Sequence, residues 1–238
     1  MAQDEMATPV TIITGAGSGI GRSLAILLCA RGQKLALAGR TLAKLNETAR
    51  RCEGAEILCH QDDLSDDSAA LRLVTAVIRG FGRIDTLVNC AGIAPRVPIG
   101  ATTETHMREC LGVGALGPAC LILKCWPHFI AQGGGRIVNV SSLASSDPFS
   151  GFFAYAASKS ALDSLTRSAA LEGSDVGVKA FSINLGCVET PLLRSFADEK
   201  LVPRSNAHSP EAIAAIIAEY VEGVHDGQSG KCIAIHSP

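Results

Sequence analysis

The stretch TGAGSGIGR, residues 14–22, decides the fold. It follows the β-branched run VTIIT at 10–14, which reads as a buried strand, and it opens a helical pattern at 19–31. A glycine-rich turn between a strand and a helix is typical of a dinucleotide-binding fold. A flexible loop is the alternative interpretation, and the strand and helix on either side weigh against it.

Each glycine of this turn has a separate expected role. Gly15 permits the tight turn, Gly19 lets the backbone approach a pyrophosphate, and Gly21 lets the helix pack closely against the sheet. The positive end of the helix dipole then faces the phosphates, with Ser18 and Ile20 beside them. We therefore expect all five residues to contribute to dinucleotide binding.

Short apolar strands alternate with longer helical segments along the rest of the chain. Strands are predicted at 10–14, 34–38, 55–60, 84–89, 136–140, 178–183 and 231–235, and helices at 19–31, 41–52, 66–80, 103–130, 152–172 and 210–224. This βαβ series predicts an α/β fold, a single Rossmann-type doubly wound parallel sheet of about seven strands with helices on both faces. No linker divides the chain, so residues 1–238 are expected to form one domain. The connection at 187–209 is long enough to be a substrate loop.

Composition excludes several classes of function. The formal net charge is -2 and the sequence pI is near 6.3, without clustered basic residues, so nucleic-acid binding is not expected. The start, MAQDEMATPV, is acidic and does not resemble a secretory signal, and no apolar run is long enough to predict a membrane span.

Cysteine and histidine usage point to a reduced protein without a metal. The nine cysteines are odd in number, form no CxxC pair and lie mostly in apolar runs, which favours free thiols and a cytoplasmic location. The six histidines are scattered without ligand spacing, so no metal site is predicted.

Chemistry is concentrated in FFAYAASKSALDSLT, residues 152–166, where Tyr155 and Lys159 are one helical turn apart. A surface helix carrying an ordinary tyrosine and lysine is the simplest interpretation of this segment alone. The alternative is acid–base chemistry, since a phenol has a pKa of about 10 and a nearby ammonium favours its ionised form.

The spacing TGxxxGxG together with Tyr155-x-x-x-Lys159 resembles the short-chain dehydrogenase/reductase family. The resemblance covers nearly the whole chain, because further motifs follow successive strands in the expected order: DLSD at 63–66, NCAG at 89–92, NVSS at 139–142 and LGCVET at 185–190. It implies an oxidoreductase that moves a hydride between a nicotinamide and a carbonyl or secondary alcohol. A small-molecule substrate and a homo-oligomer, a tetramer or a dimer, are the partners that this resemblance implies.

The resemblance also implies residue roles. Tyr155 would be the general acid/base, Lys159 would assist it and bind the nicotinamide ribose, and Ser142 would orient the carbonyl, with Ser141 as the competing serine. Asp63 is expected to contact the adenine and Asn89 to support the sheet beside the cofactor, although both could be simple turn or cap residues. The remaining cofactor contacts carried over from the motifs are Gly92, Gly186, Val188 and Thr190.

The end of the second strand bears on the choice of cofactor. An NAD site usually places an acidic residue there to bind the ribose 2′-hydroxyl, whereas this chain has Gly39 and Arg40. A guanidinium can bind a 2′-phosphate, so NADP is favoured and NAD is less expected. The alternative is that Arg40 only caps a solvated helix start.

Departures from the family pattern put the transfer of function in question. Leu185 and Phe181 replace a usual proline and asparagine, and the ending GKCIAIHSP lacks an acidic-Gly-Gly sequence. Gly114 replaces the asparagine of the catalytic set. A dinucleotide-binding regulatory protein with little or no turnover is therefore the second hypothesis, against which the intact Ser142, Tyr155 and Lys159 weigh.

The substrate pocket is expected to be mostly apolar, with Arg96 and Arg194 as anchors for an acidic group. Its predicted apolar and small lining residues are Ala94, Pro95, Leu143, Phe149, Phe152, Cys187, Leu192 and Phe196.

Overall fold

A computed structural model describes residues 8–238. The first seven residues of the predicted domain, and with them most of the acidic start, lie outside the described residues. The seven strands are β1 Val10–Thr14, β2 Lys34–Gly39, β3 Ile57–Gln61, β4 Thr86–Asn89, β5 Gly135–Ser142, β6 Val178–Leu185 and β7 Cys232–Ile235. Each lies within about two residues of its predicted position.

All seven strands are parallel in one sheet of order β3-β2-β1-β4-β5-β6-β7. The chain proceeds outward from β1 through β2 to β3 and then returns to place β4 on the other side of β1. The connections that follow β1 and β4 therefore leave toward opposite faces of the sheet, and in open α/β sheets such a switch point forms a binding crevice. The predicted fold class is confirmed.

Helices cover both faces of the sheet. They are α1 Gly19–Ala30, α2 Leu42–Arg50, α3 Ala69–Phe81, α4 Glu104–Leu111, α5 Gly117–Gln132, α6 Phe153–Gly173, α7 Pro191–Arg194 and α8 Pro210–Val221. Helices α1, α2 and α8 bury leucine and isoleucine side chains on one face, and α3, α5 and α6 pack on the other. Because both faces are covered, β1 and β4 are buried along their whole length, as their apolar sequences predict.

The predicted single helix at 103–130 contains an irregular turn. A π-helical turn, Gly112–Leu116, separates α4 from α5, and Gly114 lies at its centre. The whole stretch Glu104–Gln132 is long and apolar enough to cross a membrane by length and composition alone. Its inner face, however, packs against the sheet through Leu121, Cys125 and Phe129, as in the core helix of a globular domain.

The predicted substrate loop is more ordered than a long irregular connection. It contains the short helix α7 and a small apolar cluster of Leu193, Ala197 and Ala207. Backbone hydrogen bonds join its two ends, from His208 N to Cys187 O at 3.0 Å and from Glu189 N to His208 O at 2.9 Å. The base of the loop is therefore closed by its own backbone, which one sequence pattern does not reveal.

Candidate active site

The glycine turn after β1 has the backbone shape that its sequence predicts. Gly15 and Gly19 adopt positive φ angles of 68° and 50°, which side chains other than glycine rarely tolerate. A Cβ on Gly15 would lie 2.9 Å from the Ala91 Cα, and a Cβ on Gly21 would lie 2.6 Å from the Gly15 carbonyl oxygen. The turn is therefore pressed between the β4 end and the start of α1, and its glycines are required for packing.

Thr14, at the end of β1, holds the turn beside the end of β4. Its Oγ1 accepts hydrogen bonds from the backbone N–H of Cys90 at 3.0 Å and of Ala91 at 3.1 Å. On the outer side of the turn, the Arg22 guanidinium donates to the Gly17 carbonyl and pairs with Glu47 on α2. The contacts of Thr14 with Cys90 and Ala91, and of Arg22 with Glu47, join residues far apart in sequence. The sequence motifs did not reveal them.

One cavity of about 750 Å³ runs along the carboxyl ends of the strands. The residues predicted from sequence that line it are Gly15, Ser18, Gly19, Ile20, Arg40, Asp63, Gly92, Ser142, Tyr155, Lys159, Gly186, Val188 and Thr190. Thr190 lies against the turn, since a Cβ on Gly19 would come within 2.9 Å of its Cγ2. Residues from every part of the chain thus meet at the switch point of the sheet.

Asn89 and Gly21 are predicted cofactor residues that do not line this cavity. Asn89 is buried and donates from Nδ2 to Asn139 Oδ1 at 2.9 Å, and Asn139 donates to Thr166 Oγ1 at 2.8 Å. Asn89 therefore supports the sheet from within, as one of the two interpretations had it, and Gly21 acts only by letting the helix approach the turn. Because neither residue lines the cavity, the geometry favours an indirect role in cofactor binding for both.

Tyr155 and Lys159 project from the first turns of α6 toward the end of β5. The Lys159 ammonium is buried, donates to the Val140 carbonyl at 2.8 Å, and lies 5.8 Å from the centre of the Tyr155 ring. Phe152 packs edge-on against the Tyr155 ring at 5.7 Å between centroids. The phenol is thereby held between an aromatic wall and a buried cation.

The two serines at the end of β5 have different partners. Ser141 donates to the Lys159 carbonyl at 3.4 Å and so faces the helix backbone. Ser142 lies beside the Tyr155 phenol, and its Oγ accepts from Ala144 N at 3.2 Å. The geometry thus favours Ser142 over Ser141 as the serine that acts with the phenol.

Burial dominates the electrostatics of this pair. It raises the pKa of Tyr155 above its ordinary value, and the neighbouring Ser142 hydroxyl offsets only part of the rise. Burial likewise lowers the pKa of Lys159 to about 8, against the opposing effect of Cys90 and Asp163. The expectation that Lys159 favours the phenolate is therefore not met in the protein by itself, because removal from water costs both charged forms more than their proximity restores.

A buried polar network connects α6 with β6 and the loop after β5. Asp163, one turn after Lys159, accepts hydrogen bonds from Ser182 Oγ at 2.6 Å and Asn184 Nδ2 at 2.7 Å. Asn184 Nδ2 also donates to Ser145 Oγ at 2.8 Å, close to Ser142. This network fixes the helix that carries Tyr155 relative to the strand end that carries Ser142. In the sequence, two polar residues in an apolar strand were its only signal.

The end of the cavity near β2 is positively charged. Arg40 and Lys44 line it, and neither side chain forms an ion pair within the described part of the chain. The carboxylates there are Asp62 and Asp63, of which Asp62 is bound by Arg72 at 2.7 and 2.8 Å. Lys44 was missed because one lysine in a helix pattern does not show which way it points.

The end of the cavity opposite β2 is apolar, and one cation lies at its mouth. Phe152 and Phe196 stack edge-on at 5.0 Å between centroids, and Phe149 and Leu192 complete the wall. Arg96 lines this end, but Arg194 does not, because its guanidinium is bound by Glu189 and by the Ala197 and Val202 carbonyls. Of the other predicted lining residues, Pro95 is absent from the cavity wall.

The end of the chain closes the loop side of the cavity, which sequence analysis did not foresee. Ser237 lines the cavity, and its Oγ accepts from the Cys187 N–H at 2.8 Å. A Cβ on Gly186 would lie 2.6 Å from that oxygen, so glycine is needed for this contact. The unusual ending HSP thus has a defined place beside the substrate loop.

Comparison with known proteins identifies the family. Residues 9–201 match the family model described as short chain dehydrogenase. The chain belongs to the short-chain dehydrogenase/reductase family. Members bind a nicotinamide dinucleotide and act as oxidoreductases on small molecules, so the chain is an oxidoreductase of this family.

Individual members of the family are similar to this chain over most of its length. It is similar to 2-(R)-hydroxypropyl-CoM dehydrogenase of Xanthobacter autotrophicus, with 34% identity over 80% of this chain and 78% of that protein. Among solved structures it is similar to levodione reductase, with a TM-score of 0.89 and 27% identity, and 96% of each chain is covered. It is also similar to 3-ketoacyl-(acyl-carrier-protein) reductase from Brucella melitensis complexed with NADH, with a TM-score of 0.90, 26% identity and 96% of each chain covered.

The residues of this short-chain dehydrogenase fit a dinucleotide. The turn with positive φ at Gly15 and Gly19 lines the cavity, and the N-terminus of α1 faces the same space. Gly92 lies beside Lys159 on the cavity wall, where a Cβ would be 3.7 Å from Lys159 Nζ, an ordinary contact distance. Within residues 8–238, His, Cys, Asp and Glu side chains form no cluster that could hold a metal ion.

Gly114 stands where the resemblance to the family leads us to expect an asparagine. It is buried in the π-turn, where a Cβ would lie 2.7 Å from Ser158 Oγ. Glycine at 114 leaves room for Ser158, whose Oγ donates to the Tyr155 carbonyl at 2.7 Å. The turn and the catalytic helix are thus packed directly against each other.

Proposed function

We propose that this protein is an NADP(H)-dependent oxidoreductase that transfers a hydride between the nicotinamide and a carbonyl or secondary alcohol. The observation that supports it most is that Ser142, Tyr155 and Lys159 line the same cavity as the glycine turn. A phenol, a hydroxyl and a buried ammonium next to a dinucleotide site match the needs of carbonyl reduction. No comparable observation favours the regulatory alternative.

Tyr155 is the general acid in reduction and the general base in oxidation. Its raised pKa keeps the phenol protonated at neutral pH, which is the form that gives a proton to a developing alkoxide. Ser142, which lines the cavity beside the phenol, orients the carbonyl oxygen toward it. The nicotinamide supplies or accepts the hydride when bound.

Lys159 positions the phenol relative to the cofactor ribose. Its contact with Val140 O fixes the ammonium at the end of β5, and Asp163 behind it opposes the loss of its charge. The ammonium donates three hydrogen bonds, so two remain for the ribose and for water that resupplies the proton.

The preference for NADP rests on charge at the β2 end. Arg40 and Lys44 offer two cations without ion-pair partners among the described residues, and Gly39 places no carboxylate where a 2′-phosphate would lie. The Arg72 pair neutralises Asp62. Thr190, Val188 and Gly186 would hold the nicotinamide end, and Asp63 the adenine.

The protein is proposed to be a cytoplasmic homo-oligomer, a tetramer or a dimer. All nine cysteines are free thiols, which suits a reducing compartment. Leu116, the last residue of the π-turn, and Leu123 and Ile130 on α5 recur every seven residues and are 55%, 69% and 48% exposed. An apolar stripe of this size suits a helix-pairing interface.

A carbonyl panel with NADPH tests the proposed activity. Purified protein is mixed with NADPH and aldehydes, ketones and oxo acids, and the loss of absorbance of the reduced nicotinamide is followed. Turnover that exceeds that of the Tyr155→Phe protein supports the proposal. Tight NADPH binding by titration without oxidation of any substrate would instead establish the regulatory alternative.

A further inference from the structure

The substrate end of the cavity carries one charge in an otherwise apolar setting. Its walls are aromatic and aliphatic, and Phe149 and Leu201 stay 58% and 56% exposed at the mouth. Exposed apolar side chains around a cavity mark a ligand-binding surface. The body of the ligand that fits here is apolar.

Arg96 is the cation at this mouth. Within residues 8–238 its guanidinium forms neither an ion pair nor a hydrogen bond, although most arginines here are paired with carboxylates. The Glu189 carboxylate, on the substrate loop, is engaged by Arg194. Asp147, in the loop before Phe149, does not line the cavity and makes no ion pair with Arg96. The guanidinium therefore has its donors available.

The stem of Arg96 is held in place beside the catalytic helix. Val97 N donates to Gly151 O at 2.7 Å, and Val97 forms a bridge with Phe152, three residues before Tyr155. A Cβ on Gly151, whose φ is +87°, would lie 2.9 Å from the Arg96 Cγ. Glycine at 151 thus lets the arginine stem lie across the segment that leads into α6, which directs its charge to the same mouth as Tyr155.

We propose that the substrate is a carbonyl compound, or the matching alcohol, with an apolar body and an anionic group that pairs with Arg96. This inference rests on the proposed function, since it names the substrate class of the same site. The apolar body lies against Phe152 and Phe196, the carbonyl reaches Tyr155, and the carboxylate, sulfonate or phosphate meets the guanidinium through paired hydrogen bonds. Arg96 is a specificity residue and takes no part in proton transfer.

The test uses matched neutral and anionic substrates. A series of phenyl-substituted 2-, 3- and 4-oxo acids is compared with the methyl ester of each acid, with NADPH and the parent protein. We expect kcat/KM to be roughly ten-fold or more higher for the best acid than for its ester, as one charge-assisted contact provides. The preference should shrink at high salt, because Arg96 is exposed and its charge is screened.

Substitutions at Arg96 test whether this residue binds the anionic group. Arg96→Gln should remove the preference for acids and leave the esters nearly unchanged, and Arg96→Lys should retain part of it. Arg108→Gln, at an arginine 82% exposed on α4 outside the cavity, is the matched control. An equal kcat/KM for acids and esters in the parent, or equal losses on both in Arg96→Gln, would overturn the proposal.

A binding measurement keeps this inference separate from the proposed function. The affinity of 4-phenylbutanoate and of its methyl ester for the protein is measured by calorimetry with NADPH present. Tighter binding of the acid that disappears in Arg96→Gln supports the anionic site even if no carbonyl is reduced, in which case only the proposed function fails. Equal binding of acid and ester overturns the anionic site whatever the turnover.

Discussion

Gly114 faces Ser158 so closely that a Cβ on residue 114 would lie 2.7 Å from the Ser158 Oγ and 3.0 Å from its Cβ. Ser158 is buried, directly precedes Lys159 and donates to the Tyr155 carbonyl. Glycine at 114 is therefore a packing requirement as well as a departure from the family pattern. This changes what a substitution at 114 should do.

Gly114→Asn should lower the free energy of unfolding by about 1–3 kcal/mol, the usual cost of overpacking a buried site. Ser158→Ala, which removes the closer of the two contacts, should recover part of that loss. A double-mutant cycle by urea denaturation measures the coupling. Additive losses in the double variant would show that the two residues do not compete for space.

The same double variant tests proton delivery. With space restored, Gly114→Asn in the Ser158→Ala background should raise kcat and leave NADPH affinity unchanged, because the amide can steady the backbone that holds a relay water. The solvent deuterium effect on kcat should shrink relative to Ser158→Ala alone. Absence of any solvent effect in the parent would contradict a rate limited by proton resupply.

Tyr155→Phe should retain NADPH binding and lose on the order of a hundred- to ten-thousand-fold in kcat, the usual contribution of general acid catalysis. The ring contact with Phe152 persists, so the fold should be kept. Tyr220→Phe is the matched control, since that hydroxyl binds Gln228. Activity of Tyr155→Phe within a few-fold of the parent would end the assignment.

Arg40→Ala should weaken NADPH about ten-fold or more and leave NADH nearly unchanged, as expected for loss of one charge-assisted contact. Gly39→Asp should go further and favour NADH, because its carboxylate would repel a 2′-phosphate. The space is adequate, since a Cβ there would meet Leu45 Cδ2 at 3.4 Å. Fluorescence titration with both cofactors measures the ratio, and equal losses for both in Arg40→Ala would show that Arg40 is structural.

Lys159→Met should stabilise the protein at pH 7, and the gain should diminish as pH rises from about 8 toward 10.5. The pKa of Lys159 is lowered from 10.5 to about 8, so in this window the unfolded chain binds a proton that the folded protein does not. Stability of the parent therefore rises with pH there, by up to about 3 kcal/mol in total. Urea denaturation of both proteins across the window checks this, with Lys124→Met, an exposed lysine on α5, as the control. A constant difference between parent and Lys159→Met would contradict the lowered pKa.

Leu123→Glu should convert an oligomer into a smaller species. Leu123 is 69% exposed at the centre of the α5 stripe, and a carboxylate buried at a helix-pairing interface is costly. Leu71→Glu, at a leucine 53% exposed on α3, is the control. Light scattering at micromolar concentration gives the mass, and a monomeric parent would refute the interface.

The sequence predicted the sheet and much of the cavity lining because these depend on local rules. Strand burial, the positive φ of Gly15 and Gly19, and the helical spacing of Tyr155 and Lys159 are set within a few residues. The carboxyl ends of parallel strands meet at one edge, so motifs at strand ends were expected to converge. Gly21 and Asn89 were predicted as cofactor-binding residues, although neither lines the cavity. A residue that supports the fold and a residue that contacts the ligand can occur in the same motif.

Tertiary structure decided the features that depend on which side chains meet. Asp163 meets Asn184, Arg194 is taken by Glu189 while Arg96 is left available, and Ser237 reaches the cavity from the far end of the chain. The direction of the Tyr155 pKa shift was also decided by the tertiary structure. Spacing placed an ammonium nearby, but only the folded protein determined how much water both groups lose, and burial outweighs their attraction.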